Sequence, residues 1–167
     1  MLSGKCEKMG KGFPEAAEYK GKGPHVMAVF QDDHEADTDG TGGYTFWQVR
    51  FSGTKILTGS EDPAGVELLV CGEGRKGSQR VGACNYTRLG QSSSTYPLYA
   101  QTYKYTVYEL RTGRVLKTFE AGTGTGSQTC PYRLSSVGDQ KPSRVYAQMS
   151  RDRTEDLLRQ FVTGPAR

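Results

Sequence analysis

The sequence predicts an all-β domain of mainly antiparallel strands, a β-sandwich or open barrel with a short C-terminal helix. Three observations lead there. Apolar and aromatic residues gather in short runs bounded by Gly, Pro, Ser and Asp, the signature of strands and turns. The chain of 167 residues holds 22 glycines and 10 tyrosines, which suits pleated surfaces joined by turns better than a helical bundle. A helical stripe stands out only in "RDRTEDLLRQFV", near the end.

The elements follow in order. Residues 1–24 are rich in Lys and Gly and read as a mostly irregular arm, with "PEAAEY" (14–19) as a single helical turn. Residues 25–167 form one β-rich domain, since a chain of this length makes about one domain. The unbroken run from Val26 to Phe30 predicts a strand covered on both faces. "DDHEADTDGTGG" (32–43) is a loop, and the chain resumes as a strand from Tyr44 to Phe51, with Trp47, Val49 and Phe51 on the core side. "SEDPAG" is turn chemistry, and "RLGQSSSTYP" is a polar loop. In "YKYTVYELRTGRVLKTFE" a loop of Arg111, Thr112 and Gly113 predicts a hairpin. It sets Tyr108 opposite Leu116, Tyr105 opposite Phe119 and Lys104 opposite Glu120. "SRVYAQM" is a last strand, and the helix covers about 153–162. There Asp152 and Glu155 form the capping pattern, Leu157, Leu158, Phe161 and Val162 face the sheet, and Gly164-Pro165 ends the helix.

"LVCGEGRKGSQRVGACNY" (69–86) reads as a further hairpin, because Gly77-Ser78 meets the demand of a type II′ loop for Gly at its first central position. Counting outward sets Arg75 against Arg80 and brings Cys71 opposite Cys84, at about 4.5 Å between Cα atoms, within disulfide range. An even count of four cysteines then suits a second bridge, Cys6 to Cys130. Bridges imply an oxidising compartment. The competing readings are four unpaired buried thiols and a zinc site, and the cysteine separations match no common zinc-ligand spacing.

A net charge of +4, from 22 basic and 18 acidic residues, is ordinary for a soluble domain and lacks the dense basic stripe of nucleic-acid binders. No apolar run is long enough to span a membrane. "MLSGKCEKMGKGF" lacks the apolar middle of a signal peptide, which points to a mature chain or another export route.

Candidate chemistry is sparse. Glu35, Asp37 and Asp39, followed by Gly40, echo the start of a calcium loop, because alternate positions aim successive oxygens inward. Phe46 stands where the closing carboxylate belongs, so a solvated acidic loop competes with a metal site. His25 and His34 are the two histidines, and no nucleophile, zinc or phosphate-binding motif accompanies them. Tyr99, Tyr103, Tyr105 and Tyr108, with Lys104 and Arg111, compose an aromatic and basic face or an ordinary sheet surface. Asn85-Tyr86-Thr87 is a glycosylation sequon, meaningful only in a eukaryotic secretory pathway.

Cys6, "PEAAEY", Gly23-Pro24-His25, Leu69-Val70-Cys71, Cys84-Asn85-Tyr86, "RTGRV" (111–115), Cys130-Pro131 and the closing helix lie along most of the chain. Together they resemble a group of uncharacterised bacterial secreted or membrane-anchored β-domains with four cysteines. That resemblance implies bridged cysteines and an extracytoplasmic address, and it brings no activity. The acidic loop at 32–43 and the serine-rich loop at 91–95 depart from the pattern.

The expectation is therefore an extracellular or periplasmic interaction or structural module, stabilised by disulfides and not an enzyme. It would need no cofactor, bind no nucleic acid, span no membrane and meet a protein or cell-surface partner. The alternative is a secreted protein that binds calcium or carbohydrate.

Overall fold

A computed structural model describes residues 2–37, 47–48, 57–58, 62–87, 92–124, 129–132, 134 and 141–167. Its strands are β1 (Met27–Asp32), β2 (Trp47–Gln48), β3 (Leu57–Thr58), β4 (Leu68–Tyr86), β5 (Ser94–Glu109), β6 (Val115–Gly122) and β7 (Val145–Tyr146). Helices α1 (Ser3–Glu7) and α2 (Arg151–Thr163) lie near the two ends of the chain. Among the described residues the strands make one mixed sheet in the order β2-β1-β4-β5-β6, with β3 on β1 and β7 on β5. β1–β2, β4–β5 and β5–β6 are antiparallel. β1–β3, β1–β4 and β5–β7 are parallel.

All six residues of β1 are buried, as its unbroken apolar run predicts. Period-2 alternation divides them between two faces. Met27 and Val29 join Leu68, Val70, Tyr105 and Val107 under Leu158, Phe161 and Val162 of α2. Ala28 and Phe30 join Leu69 and Cys71 under Leu2 and Ala16 of the N-terminal stretch. The layers beside the sheet are thus a helix on one face and an arm on the other. α2 is capped by Ser150, whose Oγ accepts from the N–H of Arg153 at 3.2 Å, and not by Asp152 with Glu155. "PEAAEY" makes a turn closed by Ala16 N–H on Phe13 O at 2.9 Å, and the helical turn of this region lies at Ser3–Glu7.

The hairpin expected at 69–86 does not form: β4 is a continuous strand of 19 residues. Cys71 and Cys84 are therefore separated by roughly 40 Å of strand, and cannot bridge. Instead Cys6 pairs with Cys71, and Cys84 with Cys130. Arg75 lies opposite Thr102 of β5, and Arg80 opposite Tyr99. The glycines that mimic turn chemistry make room for β5. A Cβ on Gly72 would stand 2.6 Å from Cε1 of Tyr105, and one on Gly74 would stand 2.4 Å from Oε1 of Gln101 and 2.6 Å from the carbonyl oxygen of Asp32. Glycine within a strand commonly marks such a close approach.

The β5–β6 hairpin forms, with Lys104 opposite Glu120 and Tyr105 opposite Phe119, as expected. Near the turn the register slips, and Tyr108 meets Val115 instead of Leu116. Beyond the slip Leu110 is fully buried and its N–H donates to Glu67 O at 2.9 Å, away from β6. Gly113, at φ +76°, supplies the left-handed residue that the turn needs.

After β1 the chain crosses from one side of the β4–β5 ribbon to the other. Ala36 bridges Val145 of β7, which in turn lies beside β5. The crossing passes over Gly74 and is held by the side chain of Gln101. Gly74→Ala is expected to force Asp32 and Gln101 apart and to lower stability by about 2 kcal/mol, read as a denaturation midpoint; an unchanged midpoint would contradict the contact.

Candidate functional site

Two polar groupings stand out. The first is buried and joins the crossing segment to β5. The amide of Gln101 accepts from His34 N–H at 3.0 Å and donates to His34 O at 3.2 Å and to Ala147 O at 2.9 Å. One side chain thereby serves as a strand partner for a segment whose backbone needs one. Next to it, Asp33 Oδ1 accepts from Tyr103 Oη at 2.6 Å and Gln31 Nε2 at 2.7 Å, and Gln31 Oε1 accepts from Tyr105 Oη at 2.8 Å. The rings of Tyr103 and Tyr105 stack at 6.0 Å, and Tyr105 stacks on Phe119 at 5.3 Å.

Burial pushes the Asp33 carboxyl above its ordinary range, against the hydrogen bonds from Tyr103 and Gln31 and the charge of His34. Burial likewise raises the Tyr103 and Tyr105 hydroxyls, with the Asp33 charge adding to it. A carboxyl whose folded pKa is raised contributes fully below its unfolded value of about 3.9, and that contribution is lost as pH rises through the folded value. Asp33→Asn is therefore expected to gain stability relative to the natural chain as pH goes from about 3 to about 7. Denaturation midpoints across that range check it, and a constant difference would contradict it.

His25 is also buried. Its Nδ1 lies 2.9 Å from Glu67 Oε1, and its ring meets Tyr19 edge-on at 4.6 Å. Nε2 has no hydrogen-bond partner among the described residues. Glu67 Oε2 accepts from the N–H of Val26 at 2.7 Å, which fixes the entry into β1. His25 thus serves the packing and the strand entry.

The second grouping is a surface. The tyrosines singled out in the sequence divide: Tyr103 and Tyr105 are core, and Tyr108 packs against the opposite face. Tyr99 faces a different set of neighbours, for directly opposed residues share a face of the sheet. Arg80 of β4 and Tyr146 of β7 flank it. The guanidinium of Arg144 lies 4.4 Å from the centre of its ring, and Lys76 Nζ lies 5.5 Å from that of Tyr146. Lys104 instead pairs across strands with Glu73 and Glu120. Sequence reasoning missed this cluster, because its members come from three strands, with "RKGSQR" as the one local signal.

Of the acidic trio, Asp39 lies outside the described residues. Asp37, though exposed, engages its carboxylate with the stretch before β7: Oδ1 accepts from the N–H of Ser143 at 2.9 Å and of Arg144 at 3.3 Å, and Oδ2 accepts from Ser143 Oγ. Slight burial raises its pKa, and the hydrogen bonds from Ser143 and Arg144 outweigh that and hold it below the ordinary range. Its contribution is thus present above the unfolded value and lost as pH falls through the folded one. The carbonyl of Glu35 accepts from Tyr146 N–H at 2.9 Å. Among the described residues no three metal-ligating side chains gather.

Around Cys84–Cys130 a third apolar cluster holds Leu98, Val145, Ala147 and Ala36. Tyr86 Oη donates to Pro131 O at 2.7 Å, and burial followed by the charge of Glu35 raises its pKa to about 12. Among the described residues no helix is long and apolar enough to cross a membrane. Comparison with known proteins found no matching family model, no matching curated protein and no matching solved structure.

Proposed function

We propose that this chain is an interaction module of an extracellular or periplasmic space, stabilised by disulfides and without catalytic activity of its own. The observation that carries the reading is the placement of the two bridges. Each fastens β4 to a segment outside the sheet, Cys71 to the N-terminal arm and Cys84 to the stretch before β7. Such bridges persist in oxidising compartments, and the resemblance to secreted or membrane-anchored four-cysteine domains agrees with that address. The bridges hold both ends of a ribbon whose outer part reaches past β1, leaving a stiff surface for a partner.

The test is intact mass after alkylation, under non-reducing conditions, of protein recovered from its native source. The expected result is four protected cysteines; four alkylated ones would overturn the reading. A second reading, binding of calcium or carbohydrate, draws on the cations around Tyr99 for an acidic sugar and loses support for calcium at Asp37, whose oxygens are engaged. Under the first reading the melting temperature is the same in calcium as in chelator. A rise with calcium that chelator reverses would favour the second.

A further inference from the structure

Lys76 lies over the ring of Tyr146 and Arg144 over that of Tyr99, with Arg80 opposite Tyr99 on the neighbouring strand, and among the described residues none of the three has a carboxylate partner. Elsewhere on the same ribbon two arginines are matched: Arg75 pairs with Glu120 at 3.2 Å, and Arg114 with Glu109 at 3.1 Å. Asp37 spends its oxygens on Ser143 and on the backbone of Arg144. Arg80 Nε donates weakly, to Gly82 O at 3.4 Å, and keeps its remaining donors.

We propose that this face binds an anionic polysaccharide, with Arg80 and Arg144 taking carboxylates of successive sugar residues and Lys76 extending the field. The inference takes up the acidic-sugar part of the second reading and rests on the extracytoplasmic address that both readings share. Neighbouring strands lie about 4.8 Å apart, so Arg80 and the half-buried Tyr99 carrying Arg144 over its ring stand side by side at a separation close to the length of one sugar unit, while the ring of Tyr146 is buried. Lys76 and Arg144 are held over aromatic rings, which limits the freedom they lose on binding. The patch lacks the apolar anchor on which a protein interface turns, for the large hydrophobic residues exposed among those described, Val115 and Tyr132, lie outside it. A flexible, highly charged chain needs no such anchor.

The experiment measures retention of the full chain on immobilised polygalacturonate, against neutral dextran, anionic lipid vesicles and a DNA duplex. Three proteins are compared: the natural chain, the triple variant Lys76→Gln, Arg80→Gln, Arg144→Gln, and a charge-matched control, Lys20→Gln, Arg111→Gln, Lys117→Gln. Binding that weakens with salt is expected, reduced about tenfold or more in the patch variant and about twofold or less in the control. Arg80→Gln alone, on which no buried contact depends, is expected to lose about threefold and keeps the test open if the triple variant unfolds. Equal loss in both triple variants, no binding to polygalacturonate, or tighter binding to vesicles or DNA would overturn the proposal. None of these bears on the oxidised cysteines, whose failure alone would remove the reading beneath it.

Discussion

Replacing Cys6 and Cys71 together by alanine is expected to lower the free energy of unfolding by about 4 kcal/mol, the chain-entropy value for a closed loop of this length. The bridge spans a sequence separation of 65 residues, and that of Cys84–Cys130 spans 46. Removing the second pair should cost a similar amount, because the cost grows only with the logarithm of loop length. The two variants should nevertheless fail differently. Without Cys6–Cys71 the arm loses its covalent hold on the face made by Ala28, Phe30 and Leu69. Proteolysis should then cut first within residues 1–24. Without Cys84–Cys130 the core under α2 keeps its packing, and the outer ribbon loosens. Denaturant titration with limited proteolysis checks both. Equal cleavage patterns would contradict the separation, and a loss below about 1 kcal/mol in either variant would mean that the unfolded chain was little constrained by that bridge.

The second large effect is expected at Gln101. It is fully buried, and Gln101→Leu keeps the volume while removing one acceptor and two donors. The N–H and C=O of His34 and the C=O of Ala147 then lose the bonds that this side chain makes to them. Each unsatisfied buried group costs about 1–3 kcal/mol, so a total near 4 kcal/mol is expected where water reaches only part of the segment. Gln101→Glu should do no better, since a carboxylate keeps the acceptor and loses both donors. Hydrogen exchange at His34 reports the break directly. Unchanged protection of that amide in Gln101→Leu would contradict the role assigned to the side chain.

Local pattern made several elements legible. The run from Val26 to Phe30 gave a strand buried on both faces, the Thr112-Gly113 turn gave the β5–β6 pairing beyond the slip at Tyr108, and the stripe at Leu158, Phe161 and Val162 gave the helix and its packing face. The extended strand expected over Tyr44–Phe51 is described only at Trp47–Gln48, which pairs with β1, and its proposed core side, Trp47, Val49 and Phe51, falls outside what is described. The disulfide pairing was not legible. Glycines at 72, 74 and 77 carry the same local signal whether they turn the chain or make way for another strand, and what decides between these is the bulk of Tyr105 and Gln101 on β5. The patch around Tyr99 was hidden for a related reason. Its cations belong to β4 and to the residue before β7, which come together only through pairings to β5.

The parallel union of β1 with β4 bears on how the chain comes into being. Met27 finds its place beside Leu68, so a fully buried strand leaves the ribosome well before the strand that will shield it. At ordinary synthesis rates, about 5–20 residues per second, that leaves seconds of exposure for a stretch able to pair with any open edge nearby. A holding factor is the natural remedy, and crowding nascent copies together is expected to cost yield before it costs the stability of molecules already finished.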